Sequence, residues 1–228
     1  MTLLDKKILL SRGWLSTQST DFSSALLEVC RIREFQAGQA IFFAGDEMDG
    51  LDGLVSGWVG VYSSPTDSPP VLYHIAGPGH WTDGSRVHSQ ENTRIVTPVA
   101  RGDVTVAHVG KEALQNLEAE FPDLRLRLVT LASIYLDFFN LLYADNSNRD
   151  IEVRTSAAIL RLLGERWLPG CGFPGDPAEI PVTQDEIAEL AQLSRNAVGP
   201  ILRALEQAGA ISLGYRKITI LNRSLLNG

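Results

Sequence analysis

The chain has 228 residues, of which 44% are hydrophobic and 21% charged, the balance of an ordinary folded protein and not of a disordered one. That length is generous for one compact unit and comfortable for two small ones. A net charge of −7 is the wrong sign for a protein drawn to phosphates by overall charge, so a nucleic-acid partner requires a locally basic surface. Cys30 and Cys171 are isolated, with no CxxC pair, which argues against a disulfide framework, a structural zinc or a cysteine-ligated iron–sulfur cluster. The N-terminus lacks a long apolar core followed by a small-residue cleavage site, and no apolar run reads as a membrane span, so no membrane partner and a cytoplasmic location are expected.

In chain order, DFSSALLEVCRI comes first, with apolar residues at helical spacing and Asp21 as an N-cap candidate. Residues 30–109 then alternate short apolar runs (AIFFAG, GLVSGWVGVYSS, VLYHIAG, RIVTPVA, DVTVAHV) with turn-forming clusters. This pattern predicts a β-barrel or jelly roll of many short strands.

Next, LRLRLVTLASIYLDFFNLLYADN places Leu124, Leu128, Leu131, Tyr135, Phe138 and Leu142 at spacings of 4, 3, 4, 3 and 4, with Pro122 at the helix start. Val129, Ala132, Ile134, Leu136, Phe139 and Leu141 widen the apolar surface. A helix apolar on two faces needs two partners. The expectation is that one face meets its own barrel, while the heptad stripe pairs with the same helix of a second subunit; a monomeric buried helix is the alternative.

The last region opens with an amphipathic helix, EVRTSAAILRLLGERW, and a Pro/Gly-rich loop leading into a short strand. In VTQDEIAELAQLSRNAVGPILRALEQAGAI, Thr183 and Glu186 form a T-x-x-E capping box that starts a helix at Gln184. Ala188 is small enough for a close crossing, Ser194 caps a second helix, and Gly209 ends it. GAISLGYRKITILN reads as a hairpin. From Ser194 onward Arg195, Arg203, Arg216, Lys217 and Arg223 face the single acid Glu206, so this segment is locally basic. Arg195 and Asn196, at the start of the second helix, can make paired hydrogen bonds to guanine and adenine edges. Pro200 lies where its amide would bond the Asn196 carbonyl, and a slight kink is expected there.

The order barrel, long helix, winged helix-turn-helix resembles the Crp/Fnr family of bacterial transcription regulators over nearly the whole chain. GWLST, FQAGQAIFFAGDEMDGLDGLVSGWVGVY and TQDEIAELAQLSRNAVGPILRALEQAGAI carry the resemblance, with Gly38, Gly45-Asp46 and Ser56-Gly57 at the family's turns. It implies an α+β chain: residues 1–120 a cyclic-nucleotide-binding-like barrel with flanking helices, 121–147 a dimerisation helix, and 148–228 a winged helix-turn-helix. The implied partners are double-stranded DNA with a pseudo-palindromic site, a second copy of the chain, RNA polymerase and a small-molecule effector. The implied contacts are Arg195 and Asn196 to bases, Thr183 and Ser194 near phosphates, and Arg216 and Lys217 along the backbone. Asn196 and Pro200 replace residues that relatives like the cyclic-AMP receptor protein use for DNA, and Gln192 replaces a turn glycine, which points to a different site.

The family's cyclic-nucleotide cassette resembles HWTDGSRVHSQENTRIVT only in part. Arg94 aligns with the phosphate arginine and Asp83 stands near the position of the ribose glutamate, but Ile95 occupies the hydroxyl position and no Gly-Glu-Leu is present. These departures argue against a cyclic nucleotide, and the bland reading of Arg94 is a solvated surface charge. His74, His80, His88 and His108 are scattered singly, which argues against haem and leaves the effector unnamed. A cupin-like metal enzyme is the competing reading, but its His-x-His pair is missing and it leaves the helix-turn-helix unexplained, so no catalytic role is expected. A barrel that senses nothing and only dimerises is a third.

Overall fold

The computed structural model describes residues 2–64, 67–82, 84, 87, 89, 92–165 and 177–226. Asp83, His88, Cys171 and most of the Pro/Gly-rich loop named above lie outside them. Three short helices open the chain: α1 (Leu3–Ser11), α2 (Gly13–Ser16) and α3 (Thr20–Glu28). The N-cap position of α3 is Ser19, so Asp21 falls in the first turn, where its charge favours the helix dipole instead of capping it.

The barrel is built from β1 (Arg31–Phe35), β2 (Gly50–Ser56), β3 (Val59–Ser63), β4 (Val71–Ala76), β5 (Thr97–Ala100) and β6 (Val104–Gly110). They form two antiparallel sheets in the orders β1-β6-β2 and β4-β3-β5. AIFFAG, read above as a strand, contributes only the isolated bridge Ala40–Val99, because the chain turns through left-handed Gly38 and Gly45 at its two ends. In β4 the register against β3 shifts, pairing His74 with Val61 and Leu72 with Tyr62, so Tyr73 is the extra residue of a β-bulge.

After α4 (Lys111–Glu120) comes α5 (Leu124–Asn146), a helix of 23 residues. By length and composition α5 is apolar enough to cross a membrane, which corrects the expectation that no run of that kind exists. Leu124, Leu128, Leu131 and Phe138 are buried in the barrel's own core, with Tyr135 and Leu142 packed against it. The heptad stripe assigned to the dimer is thus occupied by the barrel, and that assignment is corrected. The face left exposed carries Leu126, Val129, Leu136, Phe139 and Tyr143.

The remaining elements are α6 (Ile151–Leu162), β7 (Ala178–Ile180), α7 (Gln184–Leu190), α8 (Arg195–Gln207), β8 (Ile211–Gly214), β9 (Lys217–Ile220) and a closing 3₁₀ turn. Their core includes Ile159, Ile187, Ala188, Val198, Leu202, Ile218 and Ile220, and it takes in Leu72 and Ile75 from β4. A buried ion pair, Arg161 to Asp145 at 2.6 Å, ties α6 to the end of α5.

Candidate nucleic-acid interface

The two helices of the motif are set by local chemistry. Thr183 accepts from the Glu186 amide while the Glu186 carboxylate accepts from the Thr183 amide, closing the capping box at the start of α7. The Ser194 hydroxyl accepts from the Ala197 amide at 3.2 Å and starts α8. Gly209, at φ +75°, takes the left-handed position beyond α8. Gln192 in the turn also sits left-handed, at φ 53°, as its replacement of a glycine requires. Arg154 on α6 braces that turn by donating to the carbonyls of Ala191 and Gln192 at 2.6 and 2.7 Å. No local spacing in the chain signals this brace, since its partners lie 37 and 38 residues apart.

Val198, Ile201 and Leu202 turn α8 inward, leaving Arg195, Asn196, Pro200 and Arg203 exposed. Helix α8 runs continuously through Pro200 to Gln207. Arg203 was missed from sequence as a surface-reading residue; its spacing of seven from Asn196 was the available signal. A cleft between the starts of α7 and α8 and the β8–β9 hairpin is lined by Thr183, Gln184, Asp185, Arg195, Arg216 and Lys217. Of the residues expected at DNA, Thr183, Arg195, Arg216 and Lys217 line this cleft, while Ser194 and Asn196 lie exposed at the start of α8 beside it. Two of the cations there hold acids: Arg195 pairs with Asp185 and Lys217 with Glu179, each at 2.6 Å.

The barrel meets α7 directly. Arg101 donates to both Glu186 oxygens and, through Nε, to the Pro181 carbonyl at 2.9 Å. The Leu72 amide donates to Glu189 at 2.8 Å. Burial pushes the Glu186 carboxyl up, but the hydrogen bonds from Arg101 and Thr183 outweigh it and hold its pKa below the ordinary value.

Inside the barrel a cavity of about 140 Å³ lies against α5, lined mainly by apolar side chains such as Phe42, Val59, Val61, Ile95 and Phe138, with His74, His80, Arg94 and Tyr135. The bulge at Tyr73 lets both Tyr73 and His74 line it, while Leu72 and Ile75 on either side join the core of the helix-turn-helix. Gly53 makes room for Trp81: a Cβ there would lie 2.7 Å from the indole. The Trp81 carbonyl in turn accepts the Tyr135 hydroxyl proton. With that proton committed, the 2.9 Å contact between Tyr135 and His80 Nε2 has the imidazole N–H donating. Burial lowers the His80 pKa to about 4. The His74 pKa is also lowered well below its ordinary value, first by burial and then by the nearby His80 and Arg161. Both rings are therefore neutral at pH 7, and they lie 5.7 Å apart.

Arg94 is buried, which corrects the solvated-charge expectation. Its Nη2 donates to Asp49 at 3.0 Å, to the Gly50 carbonyl at 3.0 Å and to Asp52 at 3.2 Å, and its guanidinium stacks 4.0 Å over Phe42. His108 contacts Asp52 at 2.8 Å and Arg33 lies 3.7 Å from it. Asp49, Asp52 and His108 are close enough to hold a metal, but the two guanidiniums already balance their carboxylates. Burial raises the Asp49 pKa, and the Arg94 hydrogen bond with the charges of His108, Arg94 and Arg33 brings it below the ordinary value.

A barrel that carries a long helix and a capped, hairpin-flanked helix-turn-helix defines a DNA-binding transcription regulator. Residues 153–228 match the Crp-like helix-turn-helix domain and residues 32–120 the cyclic nucleotide-binding domain. The fumarate and nitrate reduction regulatory protein of Escherichia coli (strain K12) is 25% identical over 200 residues, spanning 86% of this chain and 77% of its own. The cAMP-activated global transcriptional regulator CRP of Pasteurella multocida (strain Pm70) is 21% identical over 194 residues, spanning 85% of this chain and 91% of its own. In fold, the chain is similar to FixK2 from Bradyrhizobium japonicum, with a TM-score of 0.70 at 15% identity over 87% of this chain and 96% of that one. The chain belongs to the Crp/Fnr family of DNA-binding transcription regulators.

Proposed function

We propose that two copies of the chain bind a pseudo-palindromic DNA site, each placing α8 in a major groove, and that the protein acts in the cytoplasm on transcription and not as an enzyme. The observation that carries this reading is the exposed face of Arg195, Asn196, Pro200 and Arg203 beside a cleft rimmed by Arg216 and Lys217. Arg195 and Asn196 read base edges; Ser194 and Thr183, at helix N-termini, and Arg216 and Lys217, on the hairpin, hold phosphates. Half-sites then lie about one helical turn apart, and RNA polymerase is the further partner.

The dimer forms through the outer face of α5. Val129, Ala132, Leu136, Phe139 and Tyr143 recur there at spacings of 3, 4, 3 and 4, a second heptad register beside the one the barrel occupies. An effector bound against the inner face of the same helix would alter how the two DNA-binding units are set.

Selection of genomic fragments by the purified protein, at stated salt and with no effector, tests the reading. Enrichment of a two-fold symmetric sequence is the expected result. A folded dimer that enriches nothing under any salt condition would overturn it.

A further inference from the structure

We propose that the barrel cavity binds a small uncharged molecule, about one aromatic ring in size and carrying one hydrogen-bond-accepting oxygen, and that it does not bind a cyclic nucleotide. Size is the first argument. The cavity measures about 140 Å³. An apolar cavity of about 150 Å³ lined by Leu, Ile and Phe stays dry and takes benzene, whereas pockets for larger ligands run to roughly 300–1,000 Å³. A volume of that order suits one ring.

Charge is the second. Among the described residues Arg94 is the cation on the cavity wall, and its charge is matched by Asp49 and Asp52, which also hold Arg33. A phosphate entering the cavity would compete with two carboxylates already seated on that guanidinium and would lose its own hydration among Val59, Val61, Ile95 and Phe138. His74 and His80 add no positive charge, since burial keeps both neutral.

The third argument is directional. Tyr135 commits its proton to the Trp81 carbonyl and its lone pair to His80, so it is anchored and not available to a ligand. The Arg94 Nε–H is buried and has no hydrogen-bond partner among the described residues. A donor left in that state takes any acceptor a ligand brings. A phenol, a ketone or a neutral ring ether satisfies it without adding charge.

This rests on the regulator reading only for its biological meaning; binding itself is measured apart from DNA. Phenol and, separately, cyclic AMP are titrated into the full-length protein by calorimetry. Phenol is expected to bind once per chain at about 1 mM or tighter, with no heat from cyclic AMP. Val61→Phe, which fills the cavity from β3, should weaken phenol at least tenfold. Crystals soaked in iodobenzene supply a readout that does not depend on that variant folding: the iodine should lie between Val61 and Phe138. Cyclic AMP binding in the micromolar range, no phenol binding, or iodine only outside the cavity overturns the proposal. A protein that selects a symmetric DNA site yet ignores phenol loses this inference and keeps the regulator reading. One that binds phenol and selects no DNA does the reverse.

Discussion

Arg101 and Glu186 join the barrel to the helix-turn-helix through two parallel hydrogen bonds of 2.6 and 2.9 Å. The same carboxylate accepts from the Thr183 amide at 2.8 Å, so one side chain both starts the first DNA-binding helix and docks it on the barrel. Arg101→Ala removes only the docking half. The expected outcome is a loss of about 1–3 kcal/mol, with faster amide exchange in the first turn of α7, because a largely buried carboxylate loses its charged partner. Exchange unchanged at Gln184–Ile187 would show that the pair holds nothing.

Acid should act on the same contact and on the cavity, at separate pH values. His80 titrates near 4 in the folded chain against 6.5 unfolded, so the unfolded chain binds more protons between those values. Its contribution is therefore complete above about pH 6.5 and falls as pH drops toward 4, by up to about 3 kcal/mol less a discount for the ring's partial exposure. The Glu186 contribution is complete above its ordinary 4.5 and is lost only as pH falls through its lower folded value. Urea unfolding as a function of pH checks this: His80→Gln should make the upper limb shallower, leaving the share that His74 carries, and should leave the lower limb unchanged.

The helix-turn-helix was legible in the sequence because its signals are local. A capping box, a serine cap and a terminal glycine each act within four residues, and all three formed where the spacing put them. The role of the α5 stripe was not legible in the same way. That helix carries two heptad registers one residue out of step, and only the barrel's shape decides which of them it covers. Arg101, Arg154 and the meeting of His80 with Tyr135 depend on contacts 85, 37 and 55 residues apart in the chain, and no periodicity reports those. The inward turn of Arg94 was hidden too, since its carboxylate partners lie more than 40 residues upstream.

The two faces of α5 can be told apart by mutation. Leu136 is 62% exposed on the outer face and Leu131 is 1% exposed against the barrel. Leu136→Glu should dissociate the dimer in sedimentation while leaving the monomer's thermal stability close to the parent's, because it puts a charge only at the seam between copies. Leu131→Ala should cost about 2–5 kcal/mol of stability through the cavity it leaves. If Leu131→Ala were the variant that dissociated, and Leu136→Glu did not, the inner face would be the seam after all.

The pairing of Arg195 with Asp185 bears on DNA directly. Both side chains are more than half exposed, so in water the pair is worth little to stability. At a groove it matters more, because the carboxylate holds one nitrogen of the guanidinium in place, offsets its charge and repels the phosphates it approaches. Asp185→Asn removes the charge and keeps the shape. Affinity should rise several-fold on the selected site and on unrelated DNA alike, with a steeper salt dependence as one more net cation faces the backbone. Arg195→Ala should instead lose about 1–3 kcal/mol on the selected site and relax specificity at one base pair. Measured together across salt, the two variants separate the roles. Equal weakening on every sequence by Arg195→Ala would make Arg195 a phosphate contact, and unchanged affinity in Asp185→Asn would mean that the Asp185 charge does not oppose DNA binding.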